Sequence, residues 1–315
     1  MGHGVVRKIP YVQVFERTRV LGSLVQAKDF EFVTEPPRGM KAAPVVLHVS
    51  CQVHNVPHIP YLAQKILKAM GVEFDTLGGP ENCCGAFHWH FGDEDLERQV
   101  AQISLMAFQR IRTQRVLSLC PDCDYSFGRH TGKQHRFSHL NVSEIFVEQL
   151  DKLKSMMTRP VNKKVILHYH VQDELRRRDS ENVRRIIEAI PGVEIVETQK
   201  SLGPGLHCQT LAPMPADATA EMFTHARELG ADYLVVNYHS CYRQHCKMQL
   251  QYGVEVQYYL GLVAMAMGLP FEEKFKELRL LDSVDKAMER LRPRIQELGH
   301  DEDEVRKYVQ TVIYL

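Results

Sequence analysis

The chain has no excess charge, no long apolar run and no leader-like start. Its 39 Lys+Arg balance 39 Asp+Glu, giving a formal net charge of zero and a pI near 7.3. Nothing draws it as a whole to nucleic acid or to an anionic membrane surface, and nucleic acid is not expected as a partner. The longest apolar stretch, Leu260 to Pro270, falls short of the roughly 20 residues a membrane-spanning helix needs, so no direct membrane span is expected. Met1 to Glu16 mixes His3, Arg7, Lys8 and Glu16 among apolar residues, unlike a secretory leader, which suggests a cytoplasmic protein. With 44% hydrophobic residues, disorder and collagen-like repetition are excluded. The 315 residues exceed what one core usually serves, and two domains of about 100–150 residues are expected.

Cysteine is absent from the first 50 and the last 69 residues, and all eight cysteines fall between 51 and 246. In a reducing compartment such a set points to metal or redox chemistry, or to scattered buried thiols, rather than to a disulfide framework. Around them the sequence repeats. Val45-Val46-Leu47-His48 recurs as Val165-Ile166-Leu167-His168, and Ala63 to Glu73 recurs as Val183 to Glu194, with apolar residues at helical spacing and a glycine stop. Asn82-Cys83-Cys84-Gly85 then faces Leu206-His207-Cys208-Gln209, and Val116 to Cys123 faces Leu234 to Cys241.

Each half therefore reads as strand, helix, strand, cysteine-bearing loop, helix, strand, cysteine-bearing loop. The longer helices are expected at about Asp93 to Arg112 and Ala216 to Leu229. This alternation predicts two related α/β repeats on short, mainly parallel sheets, with the cysteines just past strand ends, where open α/β sheets place their sites. The expected division is an N-terminal extension (1–44), a domain with the complete motif (45–158), a degenerate copy (159–270) and a helical tail (271–315). In the tail, Leu278, Leu281, Val284, Met288 and Leu291 line one side, which favours packing on the chain's own domains over capture of a partner.

In the first half five thiols gather: Cys51, the Cys83-Cys84-Gly85 triplet and Cys120-Pro121-Asp122-Cys123. Five thiolates exceed the four of a mononuclear zinc site, and adjacent cysteines rarely aim both sulfurs at one small ion, whereas a polynuclear cluster takes them on different irons. The C-x2-C-x2-C run of bacterial ferredoxins is missing, so the arithmetic favours an unusual iron–sulfur cluster. A vicinal disulfide at Cys83-Cys84, a thioredoxin-like pair at Cys120 and Cys123, and unrelated buried thiols are the competing readings. Gly85, lacking a Cβ, suits close approach of backbone N–H groups to sulfur. Nearby, His88 and His90 within Phe87-His88-Trp89-His90-Phe91 are candidate donors to cluster or substrate sulfur, with ordinary packing the alternative.

These cysteine motifs resemble the CCG domain of the heterodisulfide reductase B-subunit family, over roughly residues 45–270. The resemblance implies one noncubane [4Fe-4S] cluster held by Cys51, Cys83, Cys84, Cys120 and Cys123, with Gly85 beside it. It also implies an oxidoreductase subunit that exchanges electrons with a disulfide, a thiol or a protein-bound sulfur substrate. A ferredoxin-like iron–sulfur subunit and a flavoprotein subunit are the implied partners. A B-type subunit of a sulfur-oxidising complex fits this pattern best; an electron-transfer adaptor of the succinate dehydrogenase or fumarate reductase type is the alternative.

The second half departs from the motif. Val171 stands in place of Cys51, His207 and Cys208 in place of the pair, Gln209 for Gly85, and Tyr238 for Cys120, while Cys241 matches Cys123. Two ligands of five survive, so the family's scheme of splitting a disulfide between two clusters is closed to this chain. His168, His170, His207, Cys208, His239, Cys241, His245 and Cys246 nevertheless converge in sequence on this half. A zinc site involving Cys208, Cys241 and Cys246 is one reading. A substrate pocket faced by His207, His239 or Cys241 is another, and leftover core thiols are a third.

Overall fold

A computed structural model describes residues 11–36, 42–130, 136–199 and 214–314. Helix α1 (Tyr11–Val25) comes first. Then follow β1 (Val45–Val49), α2 (His58–Ala69), β2 (Phe74–Gly78), α3 (Ala86–His90), α4 (Glu94–Ile111), β3 (Arg115–Ser118), α5 (Pro121–His130) and β4 (Ser138–Asn141). After α6 (Val142–Glu148) and α7 (Leu150–Met156) the pattern returns. It runs β5 (Lys163–His168), α8 (Glu174–Glu188), β6 (Val193–Gln199), α9 (Ala216–Glu228), β7 (Tyr233–Val236), α10 (His239–His245), α11 (Gln249–Tyr252), β8 (Glu255–Tyr258) and α12 (Tyr259–Met267). Helices α13 (Lys274–Arg279), α14 (Val284–Leu298) and α15 (Glu302–Tyr308) follow, and a π-helical turn, Val309–Ile313, closes the described chain.

The chain divides into two compact units, one on each sheet, parting between Val142 and Ser143, with Tyr61–Ile66 of α2 grouped with the second. Both sheets are parallel throughout, with strand orders β2-β1-β3-β4 and β6-β5-β7-β8. The two α/β repeats are thus present, and their sheets have the same order. The β-branched runs Val45-Val46-Leu47 and Val165-Ile166-Leu167 form central strands because a parallel strand is buried on both faces and needs apolar residues on both. In each sheet the order reverses direction between the first and third strands, and in this kind of sheet that crevice receives ligands.

The structure differs from the sequence expectation at two points. Each half has four strands, not three: Ser138-His139-Leu140-Asn141 and Glu255-Val256-Gln257-Tyr258 add one edge strand apiece. Cys83, Cys84 and Cys120 lie in loops as expected, but three other cysteines do not. Cys51 opens a 3-10 turn, Cys51–Asn55, and Cys123 and Cys241 lie in the first turns of α5 and α10.

Local sequence explains the long helices. The Asp93 side chain accepts the Leu96 N–H at 3.0 Å and caps α4, whose first turn carries Glu94, Asp95 and Glu97 against the helix dipole. Asp173 caps α8 in the same way, accepting from the Arg176 N–H at 2.9 Å. In the tail, Leu278, Met288 and Leu291 are buried, and Leu281 and Val284 are half-buried. Lys276 donates to the Val256 carbonyl at 3.0 Å and to Glu255 at 2.7 Å, so the tail packs on the edge strand of its own unit.

Candidate metal centre

The three cysteine segments of the first unit meet because three strands deliver them. Cys51 follows β1 by two residues, the pair Cys83-Cys84 follows β2 through the turn Pro80–Asn82, and Cys120 and Cys123 follow β3. All five thiols are buried, none of the residues more than 8% exposed. Cys83 Sγ and Cys51 Sγ are 3.6 Å apart. Thiol–thiol hydrogen bonds continue from Cys83 to Cys84, from Cys84 to Cys123 and from Cys123 to Cys120, so the five sulfurs form one chain.

Crowding of this kind splits the thiols by acidity. Cys83 is held well below the ordinary thiol range by hydrogen bonds from Cys51 and Cys84, with a further bond from the Gly85 N–H at 3.4 Å. Cys51 and Cys123 are pushed up, each first by its bond to a neighbouring thiol and then by burial. Cys84 is lowered by its bond with Cys123, but the bond to Cys83 and burial outweigh this and raise it. Buried thiolates crowded in this way need a cation to ionise together.

The thiols suit a polynuclear group better than a single ion. Around one tetrahedral zinc, bond lengths near 2.3 Å put the sulfurs about 3.8 Å from one another, all mutually close. Among the described residues, three donor atoms lying mutually within 4.8 Å occur at His168, His170 and Cys241, and no such triple forms among the five thiols. An extended row of buried sulfurs with one N–H already aimed at it fits several irons.

The backbone carrying the pair is fixed from every side. Ser104 on α4 donates to the Cys83 carbonyl at 2.8 Å, and the Ser126 hydroxyl on α5 lies 2.6 Å from the Cys84 carbonyl and 2.7 Å from Glu97. Glu97, itself buried, also pairs with Arg129 and lies 3.0 Å from His130 Nε2. Upstream, His48 Nε2 meets the Asn82 carbonyl at 2.7 Å, and Asn82 Nδ2 donates to the Gly78 and Thr34 carbonyls at 2.8 Å. His54 accepts the Gly79 N–H at 2.8 Å. Burial lowers the pKa of both His48 and His54 to about 4, so they serve as neutral rings.

Gly85 sits at φ 79, and a Cβ there would come within 2.5 Å of the Glu97 carbonyl oxygen. Its bare side therefore faces α4, while its N–H serves the sulfur. His88 is buried, its pKa lowered by burial, and it stacks on Tyr11 at 3.6 Å between ring centroids. His90 instead lies 3.7 Å from Asp122, and Trp89 packs against Tyr125 and under the Arg129 guanidinium. Tyr11 was not legible as a site residue. Its buried hydroxyl has no hydrogen-bond partner, and its pKa is raised by burial and then by the charges of Cys83 and Cys51. Ser104 and Ser126 carry no local sequence signal either, since only the packing of α4 and α5 brings them to the pair.

In the second unit β5 ends at His168, and His170 Nε2 lies 3.3 Å from Cys241 Sγ, all three residues being buried. His239 opens α10 with its Nδ1 buried and unpartnered by any hydrogen bond. Cys246, its pKa raised to about 11 by burial, turns its thiol toward the Arg243 carbonyl at 3.9 Å. Tyr238, at the place of Cys120, donates to Asp179 at 2.9 Å. His207, Cys208 and Gln209 lie outside the described residues.

Residues 45–128 match the cysteine-rich domain family, CCG. That match lies within the first repeat. All five clustered cysteines fall within the match, and the second repeat falls outside it. The chain is 26% identical over 251 residues to the D subunit of the dihydromethanophenazine:CoB–CoM heterodisulfide reductase of Methanosarcina barkeri, covering 72% of this chain and 60% of that protein. It is 25% identical over 150 residues to the B subunit of the fumarate reductase (CoM/CoB) of Methanothermobacter marburgensis, covering 47% of this chain and 29% of that one. A solved structure of a hypothetical protein from Helicobacter pylori superposes with a TM-score of 0.50 at 12% identity, covering 86% of this chain and 57% of that one, which is a likeness of fold. The chain thus spans 60% or less of each of these proteins. Among the described residues, no helix is long and apolar enough to cross a membrane.

Proposed function

We propose that this chain is an iron–sulfur electron-transfer subunit of a heterodisulfide reductase-like complex. In this reading Cys51, Cys83, Cys84, Cys120 and Cys123 hold one noncubane [4Fe-4S] cluster in the CCG domain. The observation that carries the reading is the buried row of five thiols delivered by three neighbouring strand ends. When bound, such a cluster supplies one-electron chemistry and iron positions open to sulfur. The chain's own residues hold the backbone of Cys83 and Cys84 in place through Ser104 and Ser126. They also keep water out by burial and place the Tyr11 hydroxyl and the His88 ring beside the sulfurs.

The substrate class that fits is a disulfide, a thiol or a protein-bound sulfur compound, because a sulfur ligand matches the soft centre these thiolates would build. Electrons pass to or from ferredoxin-like and flavoprotein subunits of the same complex. The similarity to one subunit of a fumarate reductase favours one second reading, a non-catalytic adaptor that relays electrons without binding substrate. Electron paramagnetic resonance on the oxidised, anaerobically purified chain separates the two. Added thiols and disulfides are expected to change the cluster signal, and an unchanged spectrum across several sulfur ligands would leave only the relay. A zinc site in the second repeat is an independent matter, resting on other residues.

A further inference from the structure

The second repeat has lost the thiols of the first, yet the carboxyl ends of its strands hold a compact set of metal donors. The ligating atoms of His168, His170 and Cys241 all lie within 4.8 Å of one another, and all three residues are buried. A single thiol–imidazole hydrogen bond accounts for the 3.3 Å between His170 Nε2 and Cys241 Sγ, but not for a second imidazole in the same space. Around a tetrahedral zinc, with bonds near 2.3 Å to sulfur and near 2.0 Å to nitrogen, the two ligand atoms stand about 3.5 Å apart.

The topology supports the same conclusion. Cys241 occupies the first turn of α10 as Cys123 occupies that of α5, and His168 ends β5 as His48 lies at the end of β1. In the first unit His48 is engaged by the Asn82 carbonyl at 2.7 Å, whereas its counterpart His168 joins the donor group, its ring 4.5 Å from that of His170. The position of His170 is fixed from outside the group. Its backbone N–H donates to Ser180 Oγ at 2.9 Å, the Ser180 hydroxyl lies 3.2 Å from the His170 backbone carbonyl, and Asn237 donates to the same hydroxyl oxygen at 3.3 Å. This support fixes the backbone from which the His170 ring projects. The His245 ring stands edge-on to His168 at 5.6 Å, one helical turn after Cys241.

We propose that His168, His170 and Cys241 bind one zinc ion at the place where the first repeat builds its cluster site, leaving a fourth coordination position beside His245. Two imidazoles and one thiolate are donors this ion prefers, and three protein ligands with one open position are the arrangement of zinc sites that accept an exogenous ligand. The site uses none of the five clustered cysteines, so it stands or falls separately from the iron–sulfur reading.

The test is metal content of the anaerobically purified full chain beside two variants. Wild type and Cys83→Ser/Cys84→Ser should each retain about one zinc per chain, while His170→Ala/Cys241→Ser should lose at least about tenfold while keeping its iron. Retained iron shows that the variant is folded. If that double variant does not fold, cobalt(II) loading of the wild type and of single Cys241→Ser takes its place. The wild type should show a thiolate-to-cobalt charge-transfer band that the variant lacks. Zinc tenfold below one per chain in the wild type overturns the proposal, as does zinc that leaves with Cys83 and Cys84, or a cobalt band indifferent to Cys241→Ser.

Discussion

The two repeats share a strand order and place helices at the same points, yet their strand ends carry different chemistry. In the first, five thiols form a row that no single small ion would organise; in the second, two imidazoles and one thiol close into a group small enough for one ion. Position by position, the exchange is modest. Tyr238 at the place of Cys120 turns its hydroxyl to Asp179, and Val171 at the place of Cys51 offers no donor. A parallel sheet that reverses order at its centre fixes where ligands converge, while the residues at four or five positions decide what they hold.

The comparison can be broken most severely at the thiol row. Cys83→Ser removes the thiol that joins Cys51 to Cys84 in the row, and iron content should fall from about four per chain to well under one, with the second unit's metal content unchanged. A variant that keeps its iron would show that the row is not the ligand set. Next comes Gly85→Ala. The second repeat carries Gln209 at this position, but in the first a side chain meets both a left-handed φ and the Glu97 backbone. A loss of about 3 kcal/mol in denaturant unfolding is expected, and a neutral result would place α4 elsewhere.

A pH effect follows from His54. Burial lowers its pKa to about 4, against about 6.5 in an unfolded chain, so the unfolded state takes up the proton first. The stability tied to His54 is therefore complete above about pH 6.5 and is lost as pH falls toward 4. His54→Gln keeps an acceptor for the Gly79 N–H and should flatten that decline when unfolding midpoints at pH 7 and pH 5 are compared; an identical decline would contradict the assignment. Smaller still, Ser126→Ala strips one hydroxyl from the Cys84 carbonyl and should cost about 1–2 kcal/mol in thermal unfolding. The smallest effect is that of Tyr11→Phe. It should leave iron content and stability alone and lower the midpoint potential of the cluster, since a donor near the sulfurs stabilises the more negative, reduced state.

What could be read from the sequence follows the same division. Val45-Val46-Leu47-His48 and its echo at Val165 announce themselves because central parallel strands need apolar residues on both faces. The edge strands Ser138–Asn141 and Glu255–Tyr258 do not, being four residues long and at least half polar. The five cysteines are legible because spacing and number limit what can bind them. Ser104, Ser126 and Tyr11 are not, because each comes to the site from a helix whose buried face is set by packing rather than by any local signal. In the second repeat, counting cysteines draws attention to Cys208, Cys241 and Cys246, whereas the compact group pairs Cys241 with His168 and His170.

The most direct test of the account is the iron and acid-labile sulfide content of the full chain purified without oxygen. About four irons and a matching amount of sulfide per chain, lost together on Cys83→Ser, is the predicted result, since one repeat alone has the ligands for a [4Fe-4S] cluster. Iron near zero with zinc bound at the five cysteines would contradict it, and so would about eight irons per chain.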